Sequence, residues 1–67
     1  MPIIVNLDDH LARRGMTVAQ FAQAIGITQA NVFVLKCGRA KAVRFSTLEA
    51  MCRVLECQPG DILRYDE

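Results

Sequence analysis

The apolar residues between positions 17 and 36 of this 67-residue chain recur at the three- and four-residue spacing of a helix. They fall into two separate runs, and each run would cover one face of a helix of about two turns. The runs consist of Val18, Phe21, Ala22 and Ile25, and then of Val32 and Leu35. This pattern predicts two short amphipathic helices, one directly after the other.

Polar residues and a glycine mark where these two helices begin and end. Thr17 and Gln20 form a T-x-x-Q capping box, which predicts the start of the first helix. Gly26 predicts its end, because a residue without a Cβ accepts the left-handed backbone of a helix C-terminus. Thr28 is the predicted N-cap of the second helix. Because the chain stops and restarts within two residues, the second helix must turn sharply against the first. The pattern therefore predicts a helix-turn-helix.

The segment resembles the helix-turn-helix of the Cro/C1-type (XRE) family of bacterial and phage transcriptional regulators. A small residue at the helix junction, the turn glycine and three apolar positions carry the resemblance: Ala22, Gly26, Ile27, Val32 and Leu35. The motif spans about residues 17–36, and the resemblance covers about residues 7–63. It implies a lambda repressor-like domain whose second motif helix enters the major groove of double-stranded DNA.

A first helix is predicted ahead of the motif. Asn6 can cap it, Leu7 and Leu11 would point inward, and Gly15 would end it. His10 is expected on its exposed face, among charged residues. Neither the lone histidine nor any neighbour offers a pattern of metal ligands.

Two more helices are predicted after the motif. Residues 37–45 would form a loop, and Ser46 with Glu49 would form an S-x-x-E capping box for a fourth helix that runs to about Glu56. Pro59 suits the first position of a short fifth helix. The β-branched segment from Pro2 to Val5 and the segment 64–66 are candidates for a short strand pair. The predicted fold is an all-α, compact five-helix bundle, with residues 1–67 as a single domain.

Composition narrows the possible functions. The chain is 52% hydrophobic and 22% charged, which is typical of a folded domain, and no run reaches the length of a membrane span. We expect a cytoplasmic protein without membrane contact. No nucleophile–base pair, carboxylate pair or metal-ligand set is evident, so we expect no enzyme activity, cofactor, metal or small-molecule substrate. The three cysteines lack C-x-x-C spacing, and Cys52 is interpreted as a small core residue.

The net charge of +1 is unevenly distributed along the sequence. Residues 36–44 contain four basic residues and no acidic one, whereas residues 45–67 contain two basic and five acidic residues. The positive charge therefore follows the second motif helix directly, where a DNA backbone would pass.

The resemblance also implies which residues meet DNA. Base contacts are expected from the start and outer face of the second motif helix: Gln29, Ala30, Asn31, Phe33 and Val34. Phosphate contacts are expected from the N-cap and from the basic segment: Thr28, Lys36, Arg39, Lys41 and Arg44. A glutamine amide can pair with adenine through two hydrogen bonds, which makes Gln29 the strongest candidate for direct readout.

The centre of this outer face is apolar, which leaves two interpretations open. Ala30, Phe33 and Val34 could contact thymine methyl groups. They could equally form a patch for a protein partner, as in an antitoxin-like or anti-regulator module. The first interpretation is preferred: a small DNA-binding transcriptional regulator, expected to be a repressor and to bind as a homodimer.

Overall fold

The computed structural model describes residues 3–66, and their element bounds largely follow the local sequence signals. Five helices and two strands occur in this order: β1 (Ile3–Val5), α1 (Asp8–Arg14), α2 (Val18–Ile25), α3 (Gln29–Lys36), α4 (Phe45–Leu55), α5 (Pro59–Ile62) and β2 (Leu63–Tyr65). The predicted all-α bundle with a terminal strand pair is confirmed.

The hydrophobic core lies between α2, α3 and the flanking helices α1 and α4. Phe21 and Val32 are fully buried in it. Ala22 lies at the junction of α2 and α3, and only 2% of its surface is exposed. The other buried members come from α1 and its N-cap, from α3, from α4 and from α5: Leu7, Leu11, Leu35, Met51, Leu55 and Ile62. The inward residues predicted for the motif are therefore confirmed.

The start of α1 differs from the prediction. The N-cap is Leu7 and not Asn6, and no side chain caps this helix. The backbone N–H of Asn6 instead donates to the carbonyl of Ile62 at 2.7 Å, which ties the segment before α1 to the end of α5. Gly15 ends α1 with a φ of 62°, as predicted.

His10 was predicted on the exposed face of α1, and this prediction is wrong. Only 9% of the residue is exposed, and its Nε2 lies 3.0 Å from the backbone carbonyl oxygen of Asp61. The packing of α5 across this side of α1 covers the imidazole, and the hydrogen bond compensates for its burial.

The start of α4 also differs from the prediction. The helix begins at Phe45 with Arg44 as its N-cap, and no side chain caps it. Ser46 therefore lies inside the first turn, and the predicted box with Glu49 does not form. The fifth helix follows its prediction, with Pro59 in its first turn and the Asp61 carboxylate accepting the backbone N–H of Gln58 at 2.9 Å.

The two strands pair in antiparallel fashion within the chain. Their register places Ile3 opposite Tyr65, Ile4 opposite Arg64 and Val5 opposite Leu63. The predicted strand pair is thus confirmed, with β2 starting one residue earlier than expected. Pro2, which was included in the predicted first strand, lies outside the described residues.

Within residues 3–66, no single helix is long and apolar enough to cross a membrane. Only α2 and α3 taken together have the length and apolar composition of a span, and the chain bends by 108° between them.

Candidate nucleic-acid interface

The turn between α2 and α3 sets the direction of the candidate interface. The chain bends by 108° between the two helices, within the range of about 90–120° found for helix-turn-helix motifs. The Thr17–Gln20 capping box holds the start of α2, with both of its hydrogen bonds formed. Gly26 ends α2 at a φ of 78°, and its backbone N–H donates to the carbonyl of Ala22. The residues predicted to build the motif therefore do build it.

The first three residues of α3 are exposed. The backbone N–H of Asn31 donates to the hydroxyl oxygen of Thr28 at 3.1 Å, so Thr28 is the N-cap, as predicted. Gln29, Ala30 and Asn31 are all exposed. The other N–H groups of this turn add a positive local potential, which suits a phosphate.

The outer face of α3 continues with apolar side chains. Phe33 is 49% exposed and Val34 is 40% exposed, whereas Val32 and Leu35 face the core. The helix thus has a buried edge and an exposed edge that is polar at its start and apolar at its centre. This is the arrangement that the apolar spacing predicted.

Lys36 differs from the other residues predicted to contact phosphate. Its ammonium group lies 2.7 Å from the carboxylate of Asp8 and 5.4 Å from the centre of the Phe33 ring. The side chain is only 21% exposed. It therefore joins α3 to α1, and it covers one face of Phe33 as a cation–π partner.

The loop between α3 and α4 presents the remaining cationic residues. Ala40 and Val43 pack against the core, while Lys41 and Arg44 between and beside them are exposed. Arg39 is also exposed, and its backbone N–H donates to the carbonyl of Val34 at 3.0 Å. No carboxylate among residues 3–66 forms an ion pair with any of these three side chains. Their charge is therefore available to a polyanion.

A cleft of about 380 Å³ separates α3 from this loop. Asn31 and Val34 line it from α3, and Arg44 and Thr47 line it from the loop and the start of α4. Asn31 therefore lies on the loop side of α3. It shares this cleft with Arg44.

Phe45 is an exposed residue that the sequence interpretation did not include in the site. It begins α4 directly after Arg44, and 86% of its surface is exposed. An aromatic residue directly after a cationic one is visible in the sequence. Phe45 was placed only at the end of the predicted loop and was not assigned to the site. Exposed together, Arg44 and Phe45 extend the candidate interface beyond α3.

The three cysteines have different surroundings. Cys37 is exposed at the end of α3, whereas Cys52 and Cys57 are half-buried. Burial raises the pKa of the Cys57 thiol, and the neighbouring Cys52 and Asp61 act in the same direction. A protonated thiol is a poor nucleophile, so Cys57 is not suited to react rapidly with oxidants.

The comparison with known proteins agrees with this geometry. The family model of the Cro/C1-type HTH DNA-binding domain matches residues 6–67. The chain belongs to the Cro/C1-type helix-turn-helix family. A relative from Bacillus subtilis (strain 168), described as the uncharacterized HTH-type transcriptional regulator YozG, is 58% identical over 65 residues. That match covers 97% of this chain and 77% of the relative. As a member of this family the protein is a DNA-binding domain of a transcriptional regulator, and α2 and α3 form its helix-turn-helix.

Proposed function

We propose that the protein represses transcription by binding a specific double-stranded DNA sequence as a homodimer, with α3 in the major groove. The observation that carries the proposal is the position of Arg39, Lys41 and Arg44, which form no ion pair within residues 3–66: the loop that holds them lies beside the exposed edge of α3. A helix in the groove and cations on the flanking backbone are the two parts that such recognition needs.

Base contacts are assigned to the exposed edge of α3. Gln29 and Asn31 can each bond to two atoms of adenine, while Ala30, Phe33 and Val34 suit the thymine methyl group. Adenine pairs with thymine, so both kinds of contact fit an operator with A·T pairs under the start and centre of α3.

Phosphate contacts are assigned to Thr28 at the start of α3 and to Arg39, Lys41 and Arg44 in the loop. Lys36 is retained as a phosphate contact, but its effect should be the smallest of the set. Its ion pair with Asp8 would have to open or be shared before it could bind the backbone. We expect Asp8→Asn to remove this ion pair and so to increase the contribution of Lys36 to DNA affinity.

Replacing Lys41 or Arg44 by Ala should weaken binding to the operator and to random DNA alike, because phosphates are the same in every sequence. The slope of log K against log salt should fall by about one unit for each lost contact. Titrations at several salt concentrations measure this slope. Arg53→Ala removes the same charge from an exposed position on α4 and serves as the matched control. An unchanged slope for both loop variants would contradict the assignment.

A protein-interaction module is the second candidate function. The half-exposed Phe33 and Val34 and the largely exposed Phe45 support it, since a partner could cover them. The two functions differ in their response to salt. DNA binding must weaken steeply as salt rises, whereas contact with an apolar patch need not.

Phe33→Ala distinguishes these functions. If Phe33 packs on a thymine methyl, the variant should lose about 1 kcal/mol of operator binding, roughly the value of one buried methyl or methylene group. Replacing that thymine by uracil removes the methyl and should cost the wild type the same amount. The two losses should not add, because each removes one side of the same contact. DNA binding that is indifferent to Phe33 would instead favour the protein-interaction module.

Dimerisation is assigned to the terminal sheet. Its two strands pair within the chain, yet Ile3 is 49% exposed and its register partner Tyr65 is 66% exposed. A second copy could cover both side chains and one free strand edge.

We expect sedimentation at micromolar concentration to show a dimer of the wild type. Tyr65→Lys should shift it to a monomer, because the charge would be buried without a partner. Arg64 lies on the opposite face of the strand, so Arg64→Gln should leave the dimer intact. A monomer both free and on DNA would refute this assignment.

A selection of bound sequences from random duplex DNA tests the function as a whole. We expect one enriched motif, made of two inverted half-sites about one helical turn apart. A promoter that carries this motif should lose activity when the protein is present. Binding without any enriched sequence would refute specific recognition, and higher promoter activity would refute repression.

A further inference from the structure

An apolar cleft of about 420 Å³ lies between the terminal sheet and the loop that follows α3. Leu35 and Met51 line it and are only 8% and 1% exposed, so they form its floor. Ile3 also lines it and is 49% exposed, so the cleft opens to solvent beside β1. The other lining residues form its two sides, from the sheet and from the loop: Val5, Leu63, Ala40, Lys41, Ala42 and Val43.

The size and lining of this apolar cleft suit a small molecule. Its volume lies within the range of about 300–1,000 Å³ that is usual for small-molecule sites. Every lining residue within residues 3–66 is apolar except Lys41. Such sites usually combine an apolar surface with a few polar groups that fix the orientation of the ligand. Here the group that can do so is the lysine.

Lys41 gives the apolar cleft a positive charge. The residue is exposed, and it forms no ion pair with any carboxylate among residues 3–66. A lysine stem can lie along an apolar surface while its ammonium group stays at the solvent. The complementary ligand therefore has an apolar body and one anionic head group, which the ammonium group would bind by a charge-assisted hydrogen bond.

The loop separates the apolar cleft from the candidate nucleic-acid interface. On its other side lies the cleft that Asn31 and Arg44 share. Four residues line both clefts: Leu35, Ala40, Ala42 and Val43. A ligand in the apolar cleft would therefore contact the same segment of loop that forms one side of the interface.

We propose that the apolar cleft binds a small molecule with an apolar chain and one carboxylate, and that this ligand weakens DNA binding. The carboxylate and a DNA phosphate compete for Lys41, so each weakens the binding of the other by the same factor. The effect on DNA rests on the phosphate contact proposed for Lys41. Binding of the ligand itself does not depend on that contact.

Titration with decanoate tests the site in the absence of DNA, with methyl NMR spectra as the readout. We expect one decanoate per chain, a higher melting temperature, and shifts of the methyl signals of Val5, Met51 and Leu63. Nonanoate and octanoate should bind more weakly in turn, by about 4-fold for each methylene lost, the value of one buried methylene.

Two pairs of variants locate the ligand. Lys41→Gln should weaken decanoate binding by about 5-fold, as expected for one exposed ion pair, and Arg53→Gln is its control. Leu63→Ala should weaken it by at least about 4-fold, because it removes part of the apolar wall. Leu48→Ala makes the same change at a half-buried position outside the cleft lining and should bind as the wild type does. Thermal melts check that the variants fold.

Three results would overturn the binding site. One is decanoate that shifts only the signals of Phe33 and Phe45, the exposed rings on the other surface. Another is equal affinity of the wild type and both cleft variants. The third is that decanoate has no effect while the cleft methyl signals move with protein concentration, which would assign the cleft to a second copy of the chain.

Titrations with random duplex DNA test the effect on DNA binding. Wild type saturated with decanoate should bind DNA as Lys41→Gln does without it, with a salt slope lower by about one unit. Lys41→Gln should no longer respond to decanoate, whereas Arg53→Gln should respond fully. Bound decanoate without any effect on DNA would overturn the competition if Lys41→Gln itself weakens DNA binding. If that variant binds DNA normally, the proposed phosphate contact fails, and the titration without DNA still decides the ligand site.

Discussion

Gly26→Val is expected to destabilise the protein by about 1–3 kcal/mol. The φ of Gly26 is 78°, in the left-handed region where a β-branched residue is strained. A Cβ built at this position would meet no atom within 4 Å, so the cost comes from the backbone conformation and not from a clash. For a domain of this size each kcal/mol lowers the melting temperature by about 4–8 °C. Thermal and urea denaturation measure the loss.

Gly60 provides the control for this change. It lies in α5 without a positive φ, and a Cβ there would also meet nothing within 4 Å. Gly60→Ala should therefore be neutral or stabilise the protein by up to about 1 kcal/mol, since it restricts the unfolded chain. A wild-type melting temperature for Gly26→Val would mean that the turn does not need its left-handed residue.

Gln29→Ala should cost about 1–3 kcal/mol of binding to the preferred operator, the value of one bidentate contact with adenine. Its effect on random DNA should be small, because no base contact is specific there. The variant should therefore lose discrimination as well as affinity. The stability of the fold should be unaffected, since Gln29 is exposed and its side chain caps nothing.

Titrations against the operator and against a scrambled duplex measure both effects of Gln29→Ala. Gln23→Ala makes the same chemical change at an exposed position of α2 and is the matched control. A further duplex, with the adenine under Gln29 replaced by guanine, should bind wild type and variant with nearly equal affinity. Equal losses on operator and scrambled DNA would place Gln29 on the phosphate backbone and not on a base.

Features that depend on neighbours in the sequence were predictable. The Thr17–Gln20 box, the Gly26 turn and the Thr28 cap each involve residues within four positions of one another, and local rules describe them. The division of α3 into a buried and an exposed edge follows from helical spacing alone. These features were enough to define the motif, because a helix-turn-helix is itself a local structure.

Features that depend on distant segments were not predictable in the same way. His10 is buried because α5 lies against it, and Lys36 is neutralised because Asp8 is brought to it by the packing of α1. The charge and spacing of residues in the sequence do not predict which distant side chains come into contact. Asn6 shows the same limit, since its backbone bonds to Ile62 across the fold where a local rule predicted a cap. The contacts with bases and phosphates remain predictions, because they require the position of the DNA.

The pairing of β1 with β2 also bears on the order in which the protein folds. Contacts between α2 and α3 join residues close in sequence, whereas β1 and β2 join opposite ends of the described chain. Because the entropy lost on closing a loop grows with its length, we expect the sheet to form late in folding. During synthesis, the DNA-binding motif can assemble before residues 63–65 have left the ribosome. The surface proposed for dimerisation would then be completed last.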